Sequence, residues 1–112
     1  MASQARALLI NSLPGYKSAR LVGTSDAEGQ TNLAIVSSHF HLGSSPPLLA
    51  MILRPSTGNS ERHTLHNLLE TRCWTLSGCS LDHAAPAHQT SAPYPKDQSE
   101  FDACGFEAEW LT

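Results

Sequence analysis

Charge is scarce in this sequence, and its scarcity excludes several kinds of partner. Of the 112 residues 15% are charged, the formal net charge is -3, and the lysines are Lys17 and Lys96 alone. No basic stripe with interleaved aromatic residues is present, so nucleic acid is not an expected partner. A charged fraction this low is unusual for a freestanding soluble domain. It predicts that part of the surface is covered, by a partner subunit or by further chain.

Long hydrophobic runs are also missing. The longest apolar run, residues 48–53, is too short to cross a bilayer. The apolar stretch at residues 7–10 is shorter than the apolar region of a signal peptide. We therefore expect a cytoplasmic protein without a membrane association. Cys73, Cys79 and Cys104 cannot all pair with one another, and without an export signal they are expected to be thiols.

Signatures of metal binding and of nucleophilic catalysis are absent as well. His39 and His41 would share one face of a strand, and His63 and His66 lie three residues apart at a predicted helix start. Their spacing matches no common zinc site, so no metal is expected. The cysteines lack a telling local motif and no Gly-x-Ser-x-Gly is present, so no catalytic residue is assigned.

Turn formers divide the chain into about four strands and two or three short helices. The predicted strands are residues 21–24, 32–40, 48–53 and 73–77, and the predicted helices are residues 3–13, 64–72 and 84–88. Residues 25–30 form the turn of a hairpin, in which Gly29 supplies a positive φ.

Three of these segments carry more specific expectations. Residues 48–53 do not alternate, which predicts a strand buried on both faces. Arg72 is expected in the last turn of its helix, and residues 99–112 predict no regular element. Four strands close a barrel poorly because the end strands keep unpaired edges. We expect one domain over residues 1–112 whose sheet is completed by another chain or by further sequence.

A polar segment between the third strand and the clearest helix concentrates donor groups. Its donors are Arg54, Ser56, Thr57, Asn59, Ser60, Arg62, His63 and Thr64. A phosphate monoester prefers guanidinium groups, hydroxyls and the free N–H groups of a helix N-terminus. Gly58 would let the backbone approach closely. The alternative is a solvated loop that caps a helix.

A second polar cluster stands at the end of the second predicted strand. Residues 37–41 read Ser-Ser-His-Phe-His, and this alternation of polar and aromatic groups could line the edge and face of a planar ligand. The alternative is an exposed strand end.

The order of short motifs along the chain resembles that of the flavin reductase-like family. The motifs are residues 11–17 (NSLPGYK), 21–24 (LVGT), 32–38 (NLAIVSS), 41–44 (HLGS), 46–48 (PPL), 54–55 (RP), 62–65 (RHTL) with Asn67, 87–92 (AHQTSA), 94–95 (YP) and 99–102 (SEFD). Each motif alone is weak, and the resemblance comes from their order and spacing over nearly the whole chain.

The resemblance implies a mainly β fold with short helices (α+β), an FMN-binding split β-barrel that forms a homodimer. Residues 88–91 would approach the cofactor site. Relatives continue beyond the SEFD motif with further strands, so the barrel is expected to be incomplete in this chain. The implied FMN-binding residues are Ser37, Ser38, His39 and Phe40 at the ring and ribityl chain, and Arg54, Thr57, Arg62, His63 and Thr64 at the phosphate.

The implied activity is that of an oxidoreductase in which NAD(P)H passes a hydride to the flavin. The sequence contains no Gly-x-Gly-x-x-Gly fingerprint, so it does not predict which nicotinamide is used. Two alternatives remain open: a module that binds FMN or another phosphorylated ligand without turnover, and a truncated remnant without activity.

Overall fold

The computed structural model describes residues 2–54, 63–92, 95 and 98–110. In these residues short helices and antiparallel strands alternate along the chain, as expected of a mixed α+β fold. A single 3₁₀ turn, Leu81–His83, leads into the third helix. The elements are α1 (Ser3–Ser12), β1 (Arg20–Ser25), β2 (Thr31–Val36), β3 (His39–Ser44), β4 (Pro47–Met51), α2 (His63–Thr71), β5 (Thr75–Gly78), α3 (Ala84–Gln89) and α4 (Glu100–Ala103).

The central element is a three-stranded antiparallel sheet in the order β2-β1-β5. The hairpin of β1 and β2 turns on Asp26, whose carboxylate accepts from the N–H groups of Glu28 and Gln30 at 3.0 and 2.9 Å. Gly29 closes the turn with φ 87°. The predicted hairpin and its glycine are therefore confirmed.

The predicted strand over residues 32–40 is wrong as a single strand. The chain leaves the first sheet after Val36 and enters a separate two-stranded sheet at His39, where β3 pairs with β4. The serines at 37 and 38 lie at the crossing. Strand-forming residues continue through the segment, so composition does not reveal a change of sheet. The described residues consequently contain five strands where about four were predicted.

The predicted burial of residues 48–53 on both faces is also wrong for the described residues. Leu48, Leu49 and Ile52 are 49%, 60% and 61% exposed. The strand β4 pairs with β3 alone in a two-stranded sheet. An apolar run specifies a strand that needs covering, but it does not specify that the same stretch of chain supplies the cover.

The two faces of the central sheet are covered by different helices. Leu21 and Leu33 point to one face, where Ala87 of α3 and Phe101 of α4 pack against them. The opposite face carries Thr24 and Asn32, which bond to side chains of α2. This division follows from the period-two alternation of side chains along a strand.

The three predicted helices are confirmed to within a residue or two at each end, whereas α4 was missed. Ser99 caps α4 by accepting from the Phe101 N–H at 3.3 Å. A helix of four residues is too short to show a helical apolar stripe, so periodicity gives no signal there. Arg72 lies one residue beyond α2 with φ 59°, and not in its last turn.

Two further properties concern the described residues alone. The helices in this part of the chain lack the length and apolar character needed to cross a bilayer. Cys73, Cys79 and Cys104 all fall within it, and none of the three forms a disulfide.

Candidate functional site

A cavity of about 400 Å³ opens beside the crossing of the chain between the two sheets. Its walls come from the end of β2, the segment that follows β4, the first turn of α2 and the end of α3. A volume of this size falls within the range of small-molecule and cofactor sites. The polar residues that line it are Asn32, Ser37, Ser38, Arg54, His63, Thr64, Thr90, Ser91 and Glu100.

Five of the predicted cofactor-binding residues meet in this cavity. They are separated by up to 27 positions in sequence, and they are Ser37, Ser38, Arg54, His63 and Thr64. Residues from both clusters singled out in the sequence therefore line one concave site. Thr57 and Arg62, together with the other polar candidates at 56, 59 and 60, lie outside the described residues.

The remaining two candidates have a different environment. The ring Nε2 of His39 lies 2.8 Å from the carbonyl oxygen of Ser18 and donates to it. Phe40 is 47% exposed on the β3–β4 hairpin. Neither side chain lines the cavity, and a contact of either with a flavin stays a prediction.

The crossing between the sheets brings the parts of the cavity together. The Ile52 N–H donates to the Ser38 carbonyl at 2.9 Å, which holds the segment after β4 against the segment after β2. Arg54 follows two residues later and so lies beside the serines. The side chain of Arg54 is exposed, and a guanidinium in that position can reach an anion at the cavity mouth.

Three buried polar side chains form the wall between β2, α2 and α4. Asn32, Thr64 and Glu100 are 6%, 8% and 7% exposed. Glu100 accepts from the Leu33 N–H at 3.1 Å. Because β2 is an edge strand, this bond satisfies a backbone donor that the sheet leaves unpaired.

The partners of Asn32 determine the orientation of its amide. With Nδ2 toward Glu100, it donates at 3.2 Å to Oε1 and 3.1 Å to Oε2, and Oδ1 accepts from Thr64 Oγ1 at 2.8 Å. The opposite orientation also bonds Thr64, through Nδ2. It would, however, set the amide oxygen against the carboxylate, acceptor against acceptor. We adopt the first orientation because it leaves every partner satisfied.

The two hydroxyls just after α3 already donate hydrogen bonds to the backbone. Thr90 Oγ1 donates to the Ala87 carbonyl and Ser91 Oγ donates to the His88 carbonyl, each at 2.7 Å. A carbonyl cannot donate, so these hydroxyl protons point back into the helix. Within the expected stretch 88–91, Thr90 and Ser91 line the cavity and offer a ligand acceptor lone pairs.

The donors available to a ligand are consequently grouped on one side. They comprise the Arg54 guanidinium, the hydroxyls of Ser37 and Ser38, and backbone N–H groups at the start of α2. The macrodipole of α2 adds partial positive charge at the same end. This side of the cavity suits a ligand with an anionic group and several neighbouring hydroxyl groups.

Thr90 and Ser91 belong to the stretch that was expected to approach the site, whereas Asn32 and Glu100 were part of family motifs but were not assigned to the site. Asn32 interrupts a strand with a polar residue, which could have marked it. The carboxylate reaches Asn32 across 68 positions, a pairing that no local pattern encodes. No group of three or more His, Cys, Asp and Glu side chains gathers as a metal site within the described ranges.

Known structures resemble this chain over its whole length. A protein assigned as a flavin reductase with a split barrel domain, from Shewanella frigidimarina NCIMB 400, is 48% identical with a TM-score of 0.89, over 100% of this chain and 54% of that one. The 2-nitrobenzoate 2-nitroreductase of Pseudomonas fluorescens is 22% identical with a TM-score of 0.84, over 100% of this chain and 52% of that one.

A third structure is similar over a smaller part. The flavoredoxin of Desulfovibrio vulgaris (Miyazaki F) is 24% identical with a TM-score of 0.69, over 80% of this chain and 46% of that one. At 22% and 24% identity the last two show the fold alone. The chain spans about half the length of each of these three proteins. No curated protein matches it.

The sequence also matches a family model. The model for the flavin reductase like domain covers residues 14–110, which includes all five strands and every described residue of the cavity wall. The two antiparallel sheets with short helices are part of the split-barrel fold of these proteins. The chain belongs to the flavin reductase like domain family.

Proposed function

We propose that the cavity beside the crossing between the two sheets binds FMN and that the chain acts in hydride transfer from NAD(P)H to this flavin. The observation that carries the proposal is the convergence of Arg54, Ser37, Ser38 and the first turn of α2 on one cavity of about 400 Å³. Family membership supports a flavin as the ligand, and the donor set supports a flavin that bears a phosphate.

The residues present fit the chemistry of such a group. The phosphate would lie at the start of α2, within reach of Arg54, where N–H donors and the helix dipole favour an anion. The hydroxyls of Ser37 and Ser38 suit a ribityl chain. An apolar lining for the ring system is available from Ala34, Ile35, Val36, Ile52, Leu53 and Leu65.

The reaction asks little acid–base chemistry of the protein. A bound flavin supplies the hydride-accepting chemistry, and the chain's own residues bind it, orient it and exclude water from one face. Arg54 and α2 fix the phosphate end, which sets the position of the ring at the other end of the cavity. A nicotinamide would then approach the flavin ring through the open mouth of the cavity.

An FMN titration of the purified chain, with its mass in solution recorded, tests binding. Oxidation of NADH and of NADPH, followed at their absorbance band with and without FMN, tests turnover. Binding with oxidation supports the proposal. Binding without oxidation points to the non-catalytic module, and absence of binding points to a remnant without ligand; either result contradicts the oxidoreductase.

We further propose that the chain forms a homodimer in the cytoplasm. Large apolar side chains are exposed along the β3–β4 hairpin and the segment after it: Phe40, Leu42, Leu48, Leu49 and Ile52. Several large exposed apolar side chains on one hairpin are typical of an interaction site in soluble proteins. Its position beside the cavity would place the flavin near the subunit boundary.

A further inference from the structure

The hydrogen bonds among Asn32, Thr64 and Glu100 in the cavity wall determine whether the Thr64 hydroxyl can donate to a ligand. A Glu100 carboxylate only accepts hydrogen bonds, so the Asn32 amide must turn its Nδ2 toward it, at 3.1 and 3.2 Å. The amide oxygen of Asn32 then faces Thr64 Oγ1 at 2.8 Å and can only accept. The hydroxyl proton of Thr64 is therefore engaged by Asn32 and is not available to a ligand.

We infer that Glu100 is a positioning residue that acts through Asn32 to hold the Thr64 hydroxyl proton on the Asn32 amide oxygen. Thr64 then presents oxygen lone pairs to the cavity, and the phosphate is held by Arg54 and backbone N–H groups without the Thr64 hydroxyl. This inference rests on the proposed binding of FMN. It changes the role expected of Thr64 from the sequence, where its hydroxyl counted among the phosphate donors.

The arrangement also explains how a carboxylate can stand beside an anion site. Glu100 receives the Leu33 N–H at 3.1 Å and both contacts from the Asn32 amide. Charge-assisted bonds from fixed N–H donors compensate a buried carboxylate, and the same bonds lock its rotamer. Glu100 is thus a cavity-wall residue whose carboxylate is already engaged by N–H donors, and the donors left for a ligand are those of Arg54, Ser37, Ser38 and the start of α2.

The first test is Thr64→Val, which keeps the shape and removes the hydroxyl. If the proton is held by Asn32, FMN and riboflavin lose affinity in the same proportion, so that the ratio of their dissociation constants changes less than about threefold. A hydroxyl that donates to the phosphate would instead cost FMN alone roughly tenfold or more. Thr64→Ser, which retains the hydroxyl, is the matched control.

The second test reverses the network with Glu100→Gln. The new amide can keep its oxygen on the Leu33 N–H and turn its NH₂ to Asn32, whose own amide then rotates and donates to Thr64 Oγ1. This frees the hydroxyl proton for the cavity. In this background Thr64→Val should weaken FMN relative to riboflavin by about tenfold, although it has little selective effect in the natural sequence. Equal selective losses in both backgrounds overturn the inference.

Comparing the natural and Glu100→Gln backgrounds also distinguishes the reversal of the hydrogen bonds from the loss of the Glu100 charge. Removing that negative charge alone should strengthen binding of an anion, but this gain does not depend on residue 64. Only the reversal of the network makes the effect of Thr64→Val depend on Glu100. Affinities are read from flavin fluorescence for each of the four combinations of the two substitutions.

A readout without flavin distinguishes failure of this inference from failure of the proposed function. Thr64→Val leaves the Asn32 oxygen buried without a donor and should lower the melting temperature, whereas the same change should add little in an Asn32→Ala background. Additive losses overturn the network. A natural chain that binds neither flavin contradicts the proposed function, while the non-additive melting still supports the network.

Discussion

Asn67 Nδ2 donates to Thr24 Oγ1 at 3.1 Å and so ties α2 to the middle strand of the central sheet. Both side chains are buried. The helix that begins at the cavity is thereby anchored in its second turn, four residues after its start. Its first turn can present backbone donors to a ligand because its position on the sheet is already determined by this bond.

Loss of that anchor should destabilise the fold. Asn67→Ala removes a buried donor and its packing, and we expect the free energy of unfolding to fall by about 1–3 kcal/mol. His66→Ala, next to it on the exposed face of α2, should change it by less than about 0.5 kcal/mol. Urea denaturation followed by circular dichroism measures both, and similar losses at the two positions would refute the anchoring role.

Arg54 should govern affinity for the phosphate. A hydrogen bond to a charged group contributes about 1.5–3 kcal/mol, so Arg54→Ala should weaken FMN roughly tenfold to a hundredfold. Riboflavin, which lacks the phosphate, should be affected far less. The same result is expected for Arg62→Ala, the other guanidinium of the sequence motif. Titrations with both flavins measure the difference, and Arg6→Ala on the exposed face of α1 is the control.

An equal loss for FMN and riboflavin would assign the arginines to folding and not to the phosphate. The salt dependence gives a further check. A phosphate contact at an exposed guanidinium weakens as ionic strength rises, whereas contacts of the uncharged ring do not.

The apolar hairpin should drive self-association. We expect a homodimer by light scattering at micromolar concentration, and a Tm that rises over a hundredfold range of protein concentration. FMN should raise the Tm further. Leu49→Asp places a charge on the exposed apolar surface and should shift the chain toward monomer. A natural chain that stays monomeric, with a Tm independent of concentration, would refute this proposal.

The turn of the first hairpin should tolerate few residues at position 29. Gly29 has φ 87°, a left-handed conformation that costs a residue with a Cβ about 1–2 kcal/mol. Gly29→Ala should lower stability by that amount, and Gly29→Asn by less because asparagine visits this region more readily. Thermal melts of the two variants give the order, and equal stability of both with the natural chain would contradict it.

The parts of the fold that sequence predicted are those with local causes. The hairpin at Asp26 and Gly29 follows from turn chemistry. The helix α2 was predicted within a residue at each end, although its buried side chains are Thr64 and Asn67. The change of sheet after Val36 and the exposure of Leu48 and Leu49 depend on which other segments lie nearby. Residue type carries no information on that, so these two expectations failed.

The candidate site divides in the same way. Ser37, Ser38, Arg54, His63 and Thr64 could be named because their motifs are short and ordered along the chain. Glu100 also lies in such a motif, but its role in the site could not be predicted, since that role arises from a contact with Asn32 that the chain makes only after folding. The direction of the Thr64 hydroxyl proton is still harder to predict from the sequence, because it depends on the orientation of the Asn32 amide.

The bond from the Ile52 N–H to the Ser38 carbonyl extends the β3–β4 pairing by one residue, to the point where the chain crosses from one sheet to the other. A ligand that touches Ser37 and Ser38 on one side and α2 on the other would link this crossing to a helix that packs on the central sheet. Ligand binding and the mutual position of the sheets are then thermodynamically coupled. The Ile52 amide proton should exchange with solvent more slowly when the cavity is filled, which makes it a local reporter of occupancy.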